Sequence, residues 1–181
     1  MIFNETGLQG SFLITLQPRG DERGWFARTF CKQEFSKIGH HKEWVQMNHS
    51  FTADKGTVRG MHFQFAPHRE IKLVRCIAGA VFDVIVDLRQ DSATFLQSFG
   101  AELTAENKKM MYVPEGFAHG FQTLCDNTEL IYQHTDYYEP ASEGGLNPLD
   151  PRLSIAWPLD VTVMSERDKG HTIITESFKG I

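Results

Sequence analysis

KLVRCIAGAVFDVIVDL, residues 72–88, is the stretch that decides the fold. Two runs rich in Val and Ile, Lys72 to Ala78 and Ala80 to Leu88, flank a single glycine, Gly79. Branched side chains favour a pleated backbone, and glycine supplies the positive φ that a tight turn needs, so the stretch reads as a β-hairpin. Alternation from Lys72 puts Val74 and Cys76 on the same strand face. A lysine starting an otherwise apolar face is unusual. It either snorkels to water from the strand end or does chemistry inside the fold.

Outward from this hairpin, similar short runs predict strands near 11–17, 24–30, 44–51, 57–65, 95–103, 109–114, 117–124 and 128–138, separated by Gly, Asp, Asn and Pro. Helix is expected only over Lys32 to Ile38, where Phe35 and Ile38 are spaced i,i+3, with a capped turn near Thr104 to Lys108. Repeats and long linkers are absent, so residues 1–181 read as one mainly β domain, closed into a sandwich or barrel that shortens its exposed edges.

The charge balance, 18 Lys+Arg against 23 Asp+Glu, speaks against a nucleic-acid partner, whose binders usually carry a basic footprint. Fourteen Phe, three Trp and four Tyr rule out a disordered chain. No apolar run approaches the roughly 18 residues of a membrane span, and Glu5 precedes any basic region. Cys31, Cys76 and Cys125 are odd in number and form no CxxC pair, so they read as reduced, buried thiols of a soluble cytoplasmic protein.

Four segments put ionisable side chains beside glycines and large rings: Asp21–Phe26, Arg59–Gln64, Pro114–Phe121 and Ser165–Asp168. Such composition suits a concave site where backbone and ligand approach closely. With Gln46-x-Asn48-x-Ser50, Lys72-Leu-Val, Val86-Asp-Leu-Arg89, Tyr132, Tyr138, Glu143, Asp150-Pro151 and Trp157-Pro158, they resemble the dTDP-4-dehydrorhamnose 3,5-epimerase family over residues 7–168. The resemblance implies a cupin-type jelly roll without metal or other cofactor. It also implies a homodimer that exchanges N-terminal strands, and a 4-keto-6-deoxy nucleotide sugar as substrate.

The resemblance assigns His62 as the base that removes a proton beside the ketone, a task for which an imidazole titrating near ~6.5 is suited. Asp168 would orient His62, although the residue alone reads as a solvated turn. Tyr132 would be the acid on the opposite face, its phenol protonated at neutral pH. Lys72 and His119 would stabilise the enolate oxygen. Arg23 and Arg59 would hold the pyrophosphate through their guanidinium forks, and Gln46, Asn48, Tyr138 and Glu143 match further substrate contacts. Strict alternation would separate Arg59 from His62, so a bulge at Gly60 is expected to bring both to the pocket.

Three positions depart from the family pattern: Arg28 replaces the common Glu, Met47 an Asp, and Arg167 a Lys. Arg28 and Arg167 add to the cations expected around the diphosphate, and the three changes point to a different nucleotide or a modified sugar. The competing readings are a ketoisomerase or single-centre epimerase, a non-enzymatic sugar-binding cupin, and a metal-dependent cupin. The last would need a His-x-His pair where this chain has His62-Phe-Gln64, and His40-His41 read as exposed loop residues.

Overall fold

The computed structural model describes residues 1–181. Thirteen strands follow one another: β1 (Ile2–Glu5), β2 (Phe12–Thr15), β3 (Arg19–Asp21), β4 (Gly24–Phe26), β5 (Gln46–Thr52), β6 (Val58–Gln64), β7 (Lys72–Ala78), β8 (Ala80–Asp87), β9 (Ser98–Thr104), β10 (Lys109–Val113), β11 (Phe117–Thr123), β12 (Thr128–His134) and β13 (Glu143–Gly145). Two one-turn α-helices, α1 (Lys32–Phe35) and α2 (Glu166–Lys169), and three 3-10 turns, Ser36–Ile38, Pro140–Ser142 and Pro151–Leu153, complete the regular structure. No helix is long and apolar enough to cross a membrane.

The strands form a six-stranded sheet in the order β1-β2-β10-β7-β12-β5 and a five-stranded sheet in the order β13-β6-β11-β8-β9, with β3 and β4 as a separate hairpin. All pairings are antiparallel. This is the expected mainly β jelly roll. The β7–β8 turn is as anticipated: Gly79 has φ +75°, and a Cβ there would lie 2.6 Å from Thr128 Oγ1. The first strand β1 pairs with β2 of the same chain and forms the edge of the six-stranded sheet.

Alternation distributes side chains to three cores. Val74, Cys76, Val81, Ile85, Phe117, Phe121 and Leu130 fill the space between the sheets. The opposite face of β8 and β11, with Val84, Val86 and Ala118, is covered by the C-terminal segment through Leu146, Leu153 and Ile174. The opposite face of the six-stranded sheet, with Ile14, Leu73 and Met110, packs on Phe35 of α1. Full burial of each large apolar side chain is worth about 1.5–3 kcal/mol. With both faces of each sheet covered, alternation alone cannot separate inside from outside by polarity.

Several expectations need correction. Strand 24–30 stops at Phe26, and 128–138 stops at His134. The strands β1, β3 and β13 and the helix α2 were not anticipated. His40 is not an exposed loop residue: its ring stacks on Trp44 at 4.5 Å and its Nδ1 is 3.1 Å from the Tyr112 hydroxyl, a buried setting. His41 is exposed. The cysteines are free, but only Cys76 is fully buried, its thiol pushed up to about 12 by desolvation.

Candidate active site

The bulge at Gly60 sets the site. In the β6–β11 pairing His62 lies opposite His119 and Arg59 opposite Phe121, so three steps on β6 match two on β11. Gly60 has φ +124° and passes so close to Gly120 that a Cβ would sit 2.5 Å from the Gly120 Cα. Only glycine fits there. The irregularity brings Arg59 and His62 into one cavity of about 610 Å³, as the sequence reading required.

That cavity lies between the sheets. His62 and His119 come from the five-stranded sheet, Lys72, Tyr132 and Asn48 from the six-stranded sheet. Tyr138, Glu143, Arg167 and Asp168 also line it. Residues separated by more than 100 positions in sequence thus meet, because the C-terminal segment carries α2 back against β6.

His62 Nε2 is 2.7 Å from Asp168 Oδ1. Asp168 is buried, which opposes its ionisation, yet hydrogen bonds from His62 and from the Gly60 amide outweigh this and hold its carboxyl below the usual range. An ionised carboxylate only accepts, so His62 Nε2 donates to it and Nδ1 is left for another partner. Ser165 caps α2 by accepting from the Asp168 amide at 3.0 Å, which fixes the carboxylate's position. Asp168 is therefore a buried, oriented partner rather than a solvated turn residue.

On the facing sheet the Tyr132 hydroxyl lies 3.0 Å from Ser50 Oγ. Burial pushes the phenol well above its ordinary value, so it keeps its proton. Lys72 is likewise buried, its Nζ donating to the His62 carbonyl at 3.3 Å and facing Glu70 Oε1 at 3.2 Å, so it does not snorkel to water. His119 Nε2 is 2.8 Å from Asp83 Oδ2, and desolvation pushes Asp83 up against the opposing influence of His119.

The remaining candidates divide. At the rim, Arg167 Nη1 donates to both oxygens of Glu143 at 3.0 and 3.2 Å, and the Tyr138 hydroxyl donates to the same carboxylate at 2.9 Å. Gln46 does not line the cavity; it bonds Asn48, which does. Arg23 and Arg28 are outside it altogether. Arg23 is held by Asp21 in the exposed β3–β4 hairpin, and Arg28 by Glu34 of α1. Of the five cations named from the sequence, Arg59, Lys72 and Arg167 line this chain's own cavity. Met47 points away from the cavity and is 62% exposed, so two of the three departures do not touch the chain's own pocket.

Glu70 and His134 in the cavity wall, and Asp83 and His171 behind it, carry side-chain contacts to the site that the sequence reading did not single out. Alternation held the signal for three of them. Glu70 precedes Lys72 by two, His134 follows Tyr132 by two, and Asp83 sits between Val81 and Ile85. His62 Nε2, Asp168 Oδ1 and His171 Nε2 lie within 4.8 Å of one another, the spacing of a metal-ligand cluster. The Arg167 guanidinium already stands beside two of them, at 3.2 Å from His62 Nε2 and 3.6 Å from Asp168 Oδ1, where its charge opposes a metal ion.

The geometry can be set beside known proteins. A family model described as dTDP-4-dehydrorhamnose 3,5-epimerase matches residues 5–176. The chain belongs to that family. The epimerase of this name from Salmonella typhimurium is 40% identical over 180 residues, covering 98% of each chain. The Bacillus anthracis epimerase, solved with TDP and PPi bound, superposes with a TM-score of 0.92 at 38% identity, covering 96% of this chain and 99% of that one. The Legionella pneumophila epimerase, in complex with dTDP-4-keto-L-rhamnose, gives a TM-score of 0.90 at 39% identity, with 95% and 92% coverage. Membership of the dTDP-4-dehydrorhamnose 3,5-epimerase family makes the chain an isomerase of the epimerase class.

Proposed function

We propose that the chain inverts C3 and C5 of a 4-keto-6-deoxy sugar carried on dTDP, with His62 as base and Tyr132 as acid. The observation that carries this reading is their placement on opposite sheets across one cavity, His62 on β6 and Tyr132 on β12. Inversion requires removal of a proton on one face of a planar enolate and delivery on the other. His62 Nδ1 takes the hydrogen from the carbon beside the C4 ketone, and the electrons pass to O4. Asp168 stabilises the imidazolium that results, and Lys72 and His119 stabilise the enolate oxygen. Tyr132 then donates its phenolic proton to the carbon, His62 gives up its gained proton to solvent while Tyr132 takes one back, and the cycle repeats at the second centre.

Arg59 and Arg167 are the cations of this chain that fit the diphosphate. The exposed hairpin holding Arg23, Trp25 and Phe26 lies outside the pocket, and its exposed rings, with Phe26 at 76%, support a homodimer in which a second copy receives it. The three free cysteines support a reducing cytoplasmic setting.

The test is incubation with 4-keto-6-deoxyglucose carried on dTDP, CDP or GDP in deuterated water, following label at C3 and C5 by NMR. Exchange at both carbons with the dTDP sugar is the expected result. Exchange at one carbon would make the chain a single-centre epimerase, and none with any nucleotide would overturn the reading.

A further inference from the structure

Behind Lys72 lies a polar chain that the mechanism does not use. Glu70, just before β7, and His134, at the end of β12, are both buried in the cavity wall, with side chains about as enclosed as that of Lys72. Glu70 Oε2 is 2.6 Å from His134 Nδ1, and Glu70 Oε1 is 3.2 Å from Lys72 Nζ. The register explains the meeting, since His134 pairs directly with Lys72 across β12 and β7. Desolvation opposes ionisation of Glu70, but the His134 hydrogen bond and the Lys72 charge outweigh it and keep the carboxyl below its ordinary range.

An ionised Glu70 accepts only, so His134 Nδ1 bears a proton and donates it. His134 Nε2 can then accept from Asn48 Nδ2, 3.3 Å away. Asn48 Oδ1 in turn accepts from Gln46 Nε2 at 3.2 Å, and Gln46 Oε1 accepts from the Tyr138 amide at 3.1 Å. Every donor in this series points towards Glu70, and aligned bonds polarise one another. Glu70 thus turns one oxygen to His134 and the other to Lys72.

An ammonium has three N–H bonds. On Lys72 one faces Glu70 and a second goes to the His62 carbonyl, and tetrahedral geometry then fixes the direction of the third. We propose that Glu70 and His134 are positioning residues for Lys72, locking its ammonium so that one N–H remains for the oxygen that gains charge in the reaction. His134 has a distinct part in this. By occupying Oε2 it prevents the carboxylate from wrapping both oxygens around Lys72 and cancelling its field. The same chain of bonds gives Gln46 a positioning role, through Asn48, in place of substrate contact. The inference rests on the epimerase reading, and Lys72 is its point of action.

A double-mutant cycle on the full-length protein with the dTDP-linked ketosugar tests it. Glu70→Ala should lower kcat by about 10- to 100-fold, the scale of a misplaced catalytic group, while KM stays within about twofold. In a Lys72→Met background the same change should alter kcat by less than about twofold, because Glu70 then has nothing to position. His134→Ala should reproduce the Glu70→Ala loss, and His134→Asn, whose amide stands near the place of Nδ1, should recover most of it. Equal fold losses in both backgrounds, or a wild-type kcat in Glu70→Ala, would overturn the proposal. If Glu70→Ala does not fold, the His134 pair decides: without recovery in His134→Asn, positioning fails. Absence of label exchange in the unaltered chain would instead remove the epimerase reading on which it stands.

Discussion

Two histidine–carboxylate pairs stand side by side in the cavity, and they are not alike. His62 and His119 are direct neighbours across β6 and β11, and their partners sit at nearly equal distances, 2.7 Å for Asp168 and 2.8 Å for Asp83. The His62 ring is 27% exposed and the His119 ring 6%. Asp168 receives hydrogen bonds and is held ionised, whereas Asp83 is wholly desolvated with Oδ1 unpartnered, so its carboxyl is pushed up. In the proposed reaction the first pair takes a proton from the sugar and carries the charge. The second is enclosed in the wall, where desolvation disfavours a charged Asp83. Surroundings, not the pairing distance, separate the two roles.

The largest effect expected from breaking this contrast is at the imidazoles. His62→Ala should slow deuterium exchange by about 10³-fold or more, as for loss of a general base, and His119→Ala by about 10-fold to 10²-fold, as for loss of one stabilising donor. Equal losses measured by NMR would erase the distinction. Tyr132→Phe should leave exchange detectable and suppress formation of the inverted product; full inversion would show that another group is the acid.

The carboxylates sharpen the comparison through pH. Asp168 is ionised in the folded chain at pH values where the unfolded chain binds a proton. Its contribution to stability is therefore complete above the unfolded carboxylate range, near ~4, and is lost as pH falls through its depressed folded value. The melting-temperature gap between wild type and Asp168→Asn should shrink on acidification below that range. Asp83 has the opposite sign, since a raised carboxyl favours the unfolded, ionised chain as pH rises. The gap for Asp83→Asn should therefore move in the other direction. The smallest effect is at the cap: Ser165→Ala should cost about 1 kcal/mol in chemical denaturation and should lower kcat through Asp168 with little change in KM.

The two pairs also mark what was legible in the sequence. The hairpin around Gly79 and the bulge at Gly60 were readable, because a glycine at a strand break has few physical explanations. Lys72 was readable as an oddity in an apolar run. Asp168 on its own was not. Nothing local distinguishes a solvated Ser-Glu-Arg-Asp turn from one folded against β6, and only the family resemblance singled it out. Asp83 shares a strand face with Val81 and Ile85, but both faces of β8 are buried, so alternation places it on a face without telling which face holds the cavity. His40 failed for a related reason: its burial depends on Trp44 and on Tyr112, a partner 72 positions distant. Arg23 and Arg28 are legible as cations, but not their distance from this chain's own cavity, because pairing with Asp21 and Glu34 is local while the cavity is not.

The docking of the C-terminal segment on the outer face of β8 and β11 has a temporal consequence. Both sheets can be assembled, with His62, His119, Lys72 and Tyr132 in register, before the segment carrying Asp168 arrives 106 positions after its histidine. A nascent or refolding chain at that stage would have its full strand content and an unpartnered base. Regain of turnover is then a clock for the last docking event, while circular dichroism in the far ultraviolet times the sheets.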